Sequence, residues 1–63
     1  MRDPARLDNF YEELKEIHKE NFPDWRFSQF IMNFLSWYGN DPFYLEEKRF
    51  IEKVNEYVAY LKG

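Results

Sequence analysis

Cysteine is absent from the 63 residues, so no disulfide framework, thiolate nucleophile or cysteine-ligated zinc braces this short chain. Glycine occurs twice, too seldom to build a phosphate cradle, and the single histidine, His18, leaves no paired-histidine spacing for a metal. No apolar stretch approaches the roughly 20 uninterrupted residues that cross a bilayer. The opening Met1-Arg2-Asp3-Pro4 lacks the basic-then-apolar order of a signal peptide, and a soluble cytoplasmic domain without membrane contact is the expectation. Bases are outnumbered, nine against twelve acids for a net charge of -3. The two signs interleave near both ends, which describes a solvated surface rather than a field aimed at phosphate.

What the chain has instead is rings. Phe 7, Tyr 5 and Trp 2 make it 22% aromatic. Nine of these residues fall between Phe22 and Tyr44. No repeat, linker or low-complexity tract interrupts the sequence, so residues 1–63 read as a single helical domain.

Period and punctuation divide the chain into three helices. Asp3-Pro4 pairs an N-cap residue with a proline at the first helical position, where its missing N–H costs nothing. Leu7, Phe10, Tyr11, Leu14 and Ile17 then recur at three-and-four spacing, with His18 closing the stripe. Asn21-Phe22-Pro23 ends this helix at about residue 20, with Asn as a left-handed terminator and the pre-proline residue driven out of the helical region. Asp24 is the expected cap of a second helix, 25–38, whose apolar arc holds Phe27, Phe30, Ile31, Phe34, Leu35, Trp37 and Tyr38 and leaves Met32 alone on the far side. Gly39-Asn40 supplies its left-handed end, and Asp41-Pro42 prevents continuation. Phe43, Tyr44 and Leu45 read as a short turn carrying hydrophobic anchors. From about Glu46 to Leu61 the stripe Phe50, Ile51, Val54, Tyr57, Val58, Leu61 predicts a third helix, with Lys48–Glu52 and Arg49–Glu52 as opposite-charge pairs on its surface. The fold class is therefore all-α, a compact three-helix bundle with the aromatic second helix central.

The punctuating segments also carry a likeness. Met1-Arg2-Asp3-Pro4, then Pro23-Asp24-Trp25-Arg26-Phe27-Ser28-Gln29, then Asp41-Pro42-Phe43-Tyr44-Leu45-Glu46 resemble a group of short bacterial and phage proteins to which no activity is attached. The resemblance spans nearly the whole chain. Those relatives often have glycine where Ser28 stands and Asp where Glu47 stands, and the second departure leaves the start of the third helix less well capped. The resemblance implies no catalytic residue.

Hydrolytic or transfer chemistry needs a base near neutral pKa beside a nucleophile or metal. His18 has no such company, because Glu16 and Glu20 point elsewhere on its helix. It reads as an edge-of-core histidine. The expectations are accordingly no enzyme, no cofactor and no metal, with a metal-assisted site at His18 as a minor reading. DNA or RNA binding of helix-turn-helix type is the alternative function, using Lys48, Arg49 and Lys53 of the third helix. Glu46, Glu47, Glu52 and Glu56 oppose it by repelling phosphate. The leading reading is a non-enzymatic protein that binds another protein, or itself, through surplus aromatic surface. Trp25, Met32, Trp37 and Tyr44 sit at the margins of the predicted faces and are residue types that dominate interfaces. Arg26 joins them as a polar contact, unless it pairs with Asp24, Asp41 or a first-helix carboxylate.

Overall fold

Asp3 and Pro4 form a turn ahead of the first helix rather than its cap and first position, which fall to Ala5 and Arg6. The Asp3 carboxylate accepts a hydrogen bond from the Ala5 N–H at 2.9 Å, and successive N–H groups of Arg6, Leu7 and Asp8 reach back three residues, tightening the opening turn. Regular helix follows. In the computed structural model, which describes residues 3–63, the elements are α1 (Arg6–Asn21), α2 (Phe27–Tyr38) and α3 (Glu47–Lys62), with no strand among the described residues. The opening of the expected 4–20 helix is thus the tight turn that leads into α1. Met1 and Arg2, part of the likeness drawn above, lie outside the described residues.

Two further expected caps are corrected. Asn21 is not left-handed: it stays in the helix and its side chain donates to the Ile17 carbonyl at 3.0 Å, while Phe22 leaves with φ -138°. Asp24 does not cap α2 either, because Phe22 and Trp25 close a turn around Pro23-Asp24, with the Trp25 N–H on the Phe22 carbonyl at 3.0 Å. The cap position passes to Arg26, whose extended backbone turns the chain into α2. Arg26 cannot cap with its own side chain, since a guanidinium only donates. Gln29 serves instead, its Oε1 accepting from the Arg26 N–H at 2.8 Å, which is half of a capping box. The far end is as expected: Gly39 adopts φ 77° and donates to the Leu35 carbonyl at 3.0 Å.

Among the described residues six are buried: Leu14 from α1, Phe30 and Phe34 from α2, and Ile51, Val54 and Tyr57 from α3. With the partly buried Phe10 and Ile17 of α1 added, the residues of each helix recur at helical spacing, so each helix turns one narrow stripe inward. Rings tie the stripes together. Phe34 lies 5.1 Å edge-on from Phe50 and 5.9 Å from Tyr57, and Phe50 in turn meets Phe10 of α1 at 5.6 Å. These offset and edge-on pairings are the arrangements aromatic quadrupoles favour, about 0.5–1.5 kcal/mol each beyond the area they bury. α3 packs on both other helices. One ion pair fixes its start against α1: Arg6 Nε meets Glu47 Oε1 at 2.7 Å, 41 positions apart in sequence. No helix among the described residues is long and apolar enough to cross a membrane.

Candidate functional site

The Phe22–Arg26 connection brings α1 and α2 together through one histidine. His18 Nε2 stands 2.8 Å from the Trp25 carbonyl, and its ring lies 5.0 Å from Phe30. A carbonyl only accepts, so the proton sits on Nε2 and the bond fastens the connection to α1. No group of three or more potential metal ligands occurs among the described residues. Nε2 of His18 is engaged by the chain's own backbone, and the ring packs on Phe30.

The five residues expected to bind a partner divide by environment. Trp25 is half-buried, stacked on Phe22 with centroids 4.5 Å apart and planes 8° from parallel. Trp37 is half-buried between Tyr57 at 5.4 Å, Tyr60 at 6.0 Å and Phe34 at 6.2 Å. Both tryptophans roof the small core. Met32 and Tyr44 do not, being 67% and 87% exposed. Arg26 is exposed, and the expected partners are not there: it forms no ion pair among the described residues.

The five therefore do not form one patch. Trp25 and Met32 share a shallow concavity of about 430 Å³ with Ser28, Gln29 and Asn33 on the outer side of α2. Trp37 belongs to the α2–α3 seam, and Tyr44 to the turn before α3. That turn corrects another expectation. Asp41 accepts from the Phe43 N–H at 3.0 Å and the Leu45 N–H closes on the Pro42 carbonyl at 3.0 Å, which throws Phe43 and Tyr44 outward as an edge-on pair rather than anchoring them in the core.

Several features lie beyond what the sequence indicated. Phe27 and Tyr11, both placed on inward stripes by their spacing, are 59% and 60% exposed across a 250 Å³ groove between α1 and α2 that also holds Leu14, Lys15 and His18. A second groove, about 330 Å³, follows the α1–α3 seam beside the Arg6–Glu47 pair. Neither had a local signal, because each depends on residues far apart in the chain. On α3 the Lys48–Glu52 pair gives way to Lys53–Glu56 at 3.5 Å, while Arg49–Glu52 forms as expected.

Among the described residues two groups titrate away from their ordinary values. A hydrogen bond from Lys15 to Glu12, 3.0 Å away on the same helix face, and the attraction of that carboxylate raise the lysine above the usual range. Burial raises the Tyr57 phenol, with a small addition from Tyr60. The first is a solvated surface contact, and the second faces rings. No protein-family model, curated protein or solved structure matches this chain.

Proposed function

We propose that the chain is a non-enzymatic protein-interaction module that docks through the outer side of α2, with the Phe43-Tyr44 turn as an accessory contact. The observation that carries this reading is the character of that helix face: Met32 is 67% exposed, and from Phe27 to Asn40 the sequence has no acid or base in a chain that is 33% charged. Exposed helices normally carry charge on their outer face. A face that combines Met, amides and serine with flanking rings resembles the core of an interface, where charge is depleted and methionine and aromatics are enriched. The alternative, nucleic-acid binding through α3, draws less support, because Arg49 and Lys53 are each held by a glutamate on the same helix.

Substitution of Met32 tests the reading. Trp37 is a poorer choice, since its ring rests on Tyr57 and truncation would damage the fold. Met32→Lys and Tyr44→Ser leave every buried residue in place, so both retain the wild-type circular dichroism spectrum. Affinity capture from native cytoplasm with tagged wild type recovers partner proteins that Met32→Lys loses and Tyr44→Ser retains in part. Identical capture by wild type and Met32→Lys refutes docking through α2.

A further inference from the structure

Met32 is the one methionine among the described residues, and it stands 67% exposed on α2, outside the buried cluster. Its surroundings are hydrogen-bond donors. A helical side chain leans toward the N-terminus over the preceding turn, which carries the Met32 thioether toward Ser28 and Gln29, and all three line the shallow concavity that Asn33 and Trp25 complete. Gln29 spends its Oε1 on the Arg26 N–H, so its amide nitrogen is left to donate. That nitrogen, the Ser28 hydroxyl and the Asn33 amide have no hydrogen-bond partner among the described residues.

Resting on the docking face proposed above, we infer that Met32 is a site of reversible oxidation by peroxides, and that its oxidation releases whatever is docked on α2. The sulfur lone pair attacks one peroxide oxygen, an S–O bond forms as the O–O bond breaks, and the departing hydroxide takes up a proton and leaves as water. Sulfur gives up two electrons and the peroxide accepts them. The product is a sulfoxide, and two thiols return it to the thioether, leaving a disulfide and water.

Three observations support this residue as the site. Exposure puts the sulfur within reach of a peroxide, which a core methionine is denied. The chain has no cysteine, so no thiolate competes for the oxidant. The donors of Ser28, Gln29 and Asn33 then suit the product better than the reactant, because a sulfoxide oxygen is a strong acceptor and a thioether sulfur a weak one.

The consequence for docking follows from polarity. Oxidation puts a strong dipole at the centre of the uncharged face and turns the neighbouring donors onto their own helix, so a partner loses an apolar contact and must desolvate a polar group. The fold is spared, since Met32 takes no part in the buried cluster. That separates a switch from oxidative damage.

Treatment of the purified full chain with hydrogen peroxide, followed by removal of the oxidant, tests the proposal. Cleavage after Arg26 and Lys48 isolates Met32 in fragment 27–48, apart from Met1. That fragment gains one oxygen in wild type and none in Met32→Leu, while the circular dichroism spectrum of the intact chain stays unchanged. Capture of partner proteins by oxidised wild type falls at least about tenfold. A methionine sulfoxide reductase with dithiothreitol restores it, and Met32→Leu captures equally before and after peroxide. A fragment that stays unmodified at doses that oxidise free methionine overturns the proposal, as does loss of helix content on oxidation. Full capture by the oxidised chain, with Met32→Lys still failing to capture, removes the switch and leaves the docking face standing. Undiminished capture by Met32→Lys removes the docking face and the switch with it.

Discussion

Two phenylalanines of identical chemistry and opposite environment give the sharpest test of how this chain is held together. Phe34 is fully buried and meets rings at Phe50, Tyr57, Trp37 and Tyr38, between 5.1 and 6.2 Å. Phe43 is 78% exposed, and its one ring neighbour among the described residues is Tyr44. Replacing Phe34 by alanine costs about 3–5 kcal/mol in a core of this kind. A chain of this length has a total stability of roughly 3–9 kcal/mol, so that variant is too severe to measure cleanly. Leucine is the informative substitution. It keeps most of the volume but forfeits the edge-on and offset pairings, a loss of about 2 kcal/mol. The same change at Phe43 costs less than about 0.5 kcal/mol. In urea melts followed by circular dichroism at one fixed protein concentration, a slope of about 1 kcal/mol per molar turns this difference into a midpoint shift of about 2 M for Phe34→Leu. Phe43→Leu superimposes on wild type. Equal shifts for the two variants would refute the claim that a core of six buried side chains, knit by rings, carries the stability.

The remaining predictions concern single groups. Because burial holds the Tyr57 phenol above its ordinary value of 10.0, the unfolded chain ionises first; stability is whole below about pH 10 and declines as pH rises from there through the folded value, which alkaline urea midpoints and tyrosinate absorbance of Tyr57→Phe against wild type will follow. Gly39→Ala forces a side chain into φ 77° although the new methyl meets nothing closer than 3.8 Å, so the cost is conformational, about 1 kcal/mol in a thermal or urea melt. His18→Ala removes the bond to the Trp25 carbonyl and the ring against Phe30, and lowers stability by about 1–2 kcal/mol while leaving the helix content unchanged by circular dichroism.

Helix ends were legible wherever one residue type has one physical use. Gly39 closes a helix because it alone accepts a positive φ without strain, whereas Asp3-Pro4 opens only the tight turn that precedes α1, whose cap position falls to Ala5. The expectation failed where two such residues competed within a few positions. Asn21 and Asp24 both suit helix ends, but Pro23 sets a turn between them, and Gln29 reaching back to Arg26 settles the start of α2 two residues beyond the expected one. Phe43 and Tyr44 show another limit: hydrophobicity predicts an inward anchor, whereas the Asp41 turn geometry points both rings outward.

The candidate surface was half legible for a related reason. Met32 stood outside the apolar arc by angle alone, and it is exposed; Trp25 and Trp37 lay at the margin of the arc, where angle cannot say whether a neighbouring ring will cover them. Phe22 covers Trp25 from across the Pro23-Asp24 turn, and Tyr57 covers Trp37 from α3, twenty residues away.

Local chemistry thus determined the number of helices, their inward stripes and the absence of charge along α2, because periodicity and capping act over a few residues. Tertiary structure alone decided that Arg6 meets Glu47, that Phe27 and Tyr11 remain at the surface, and that Arg26 forms no ion pair among the described residues. Those outcomes depend on how three helices share a small core, a constraint that no stretch of sequence carries by itself.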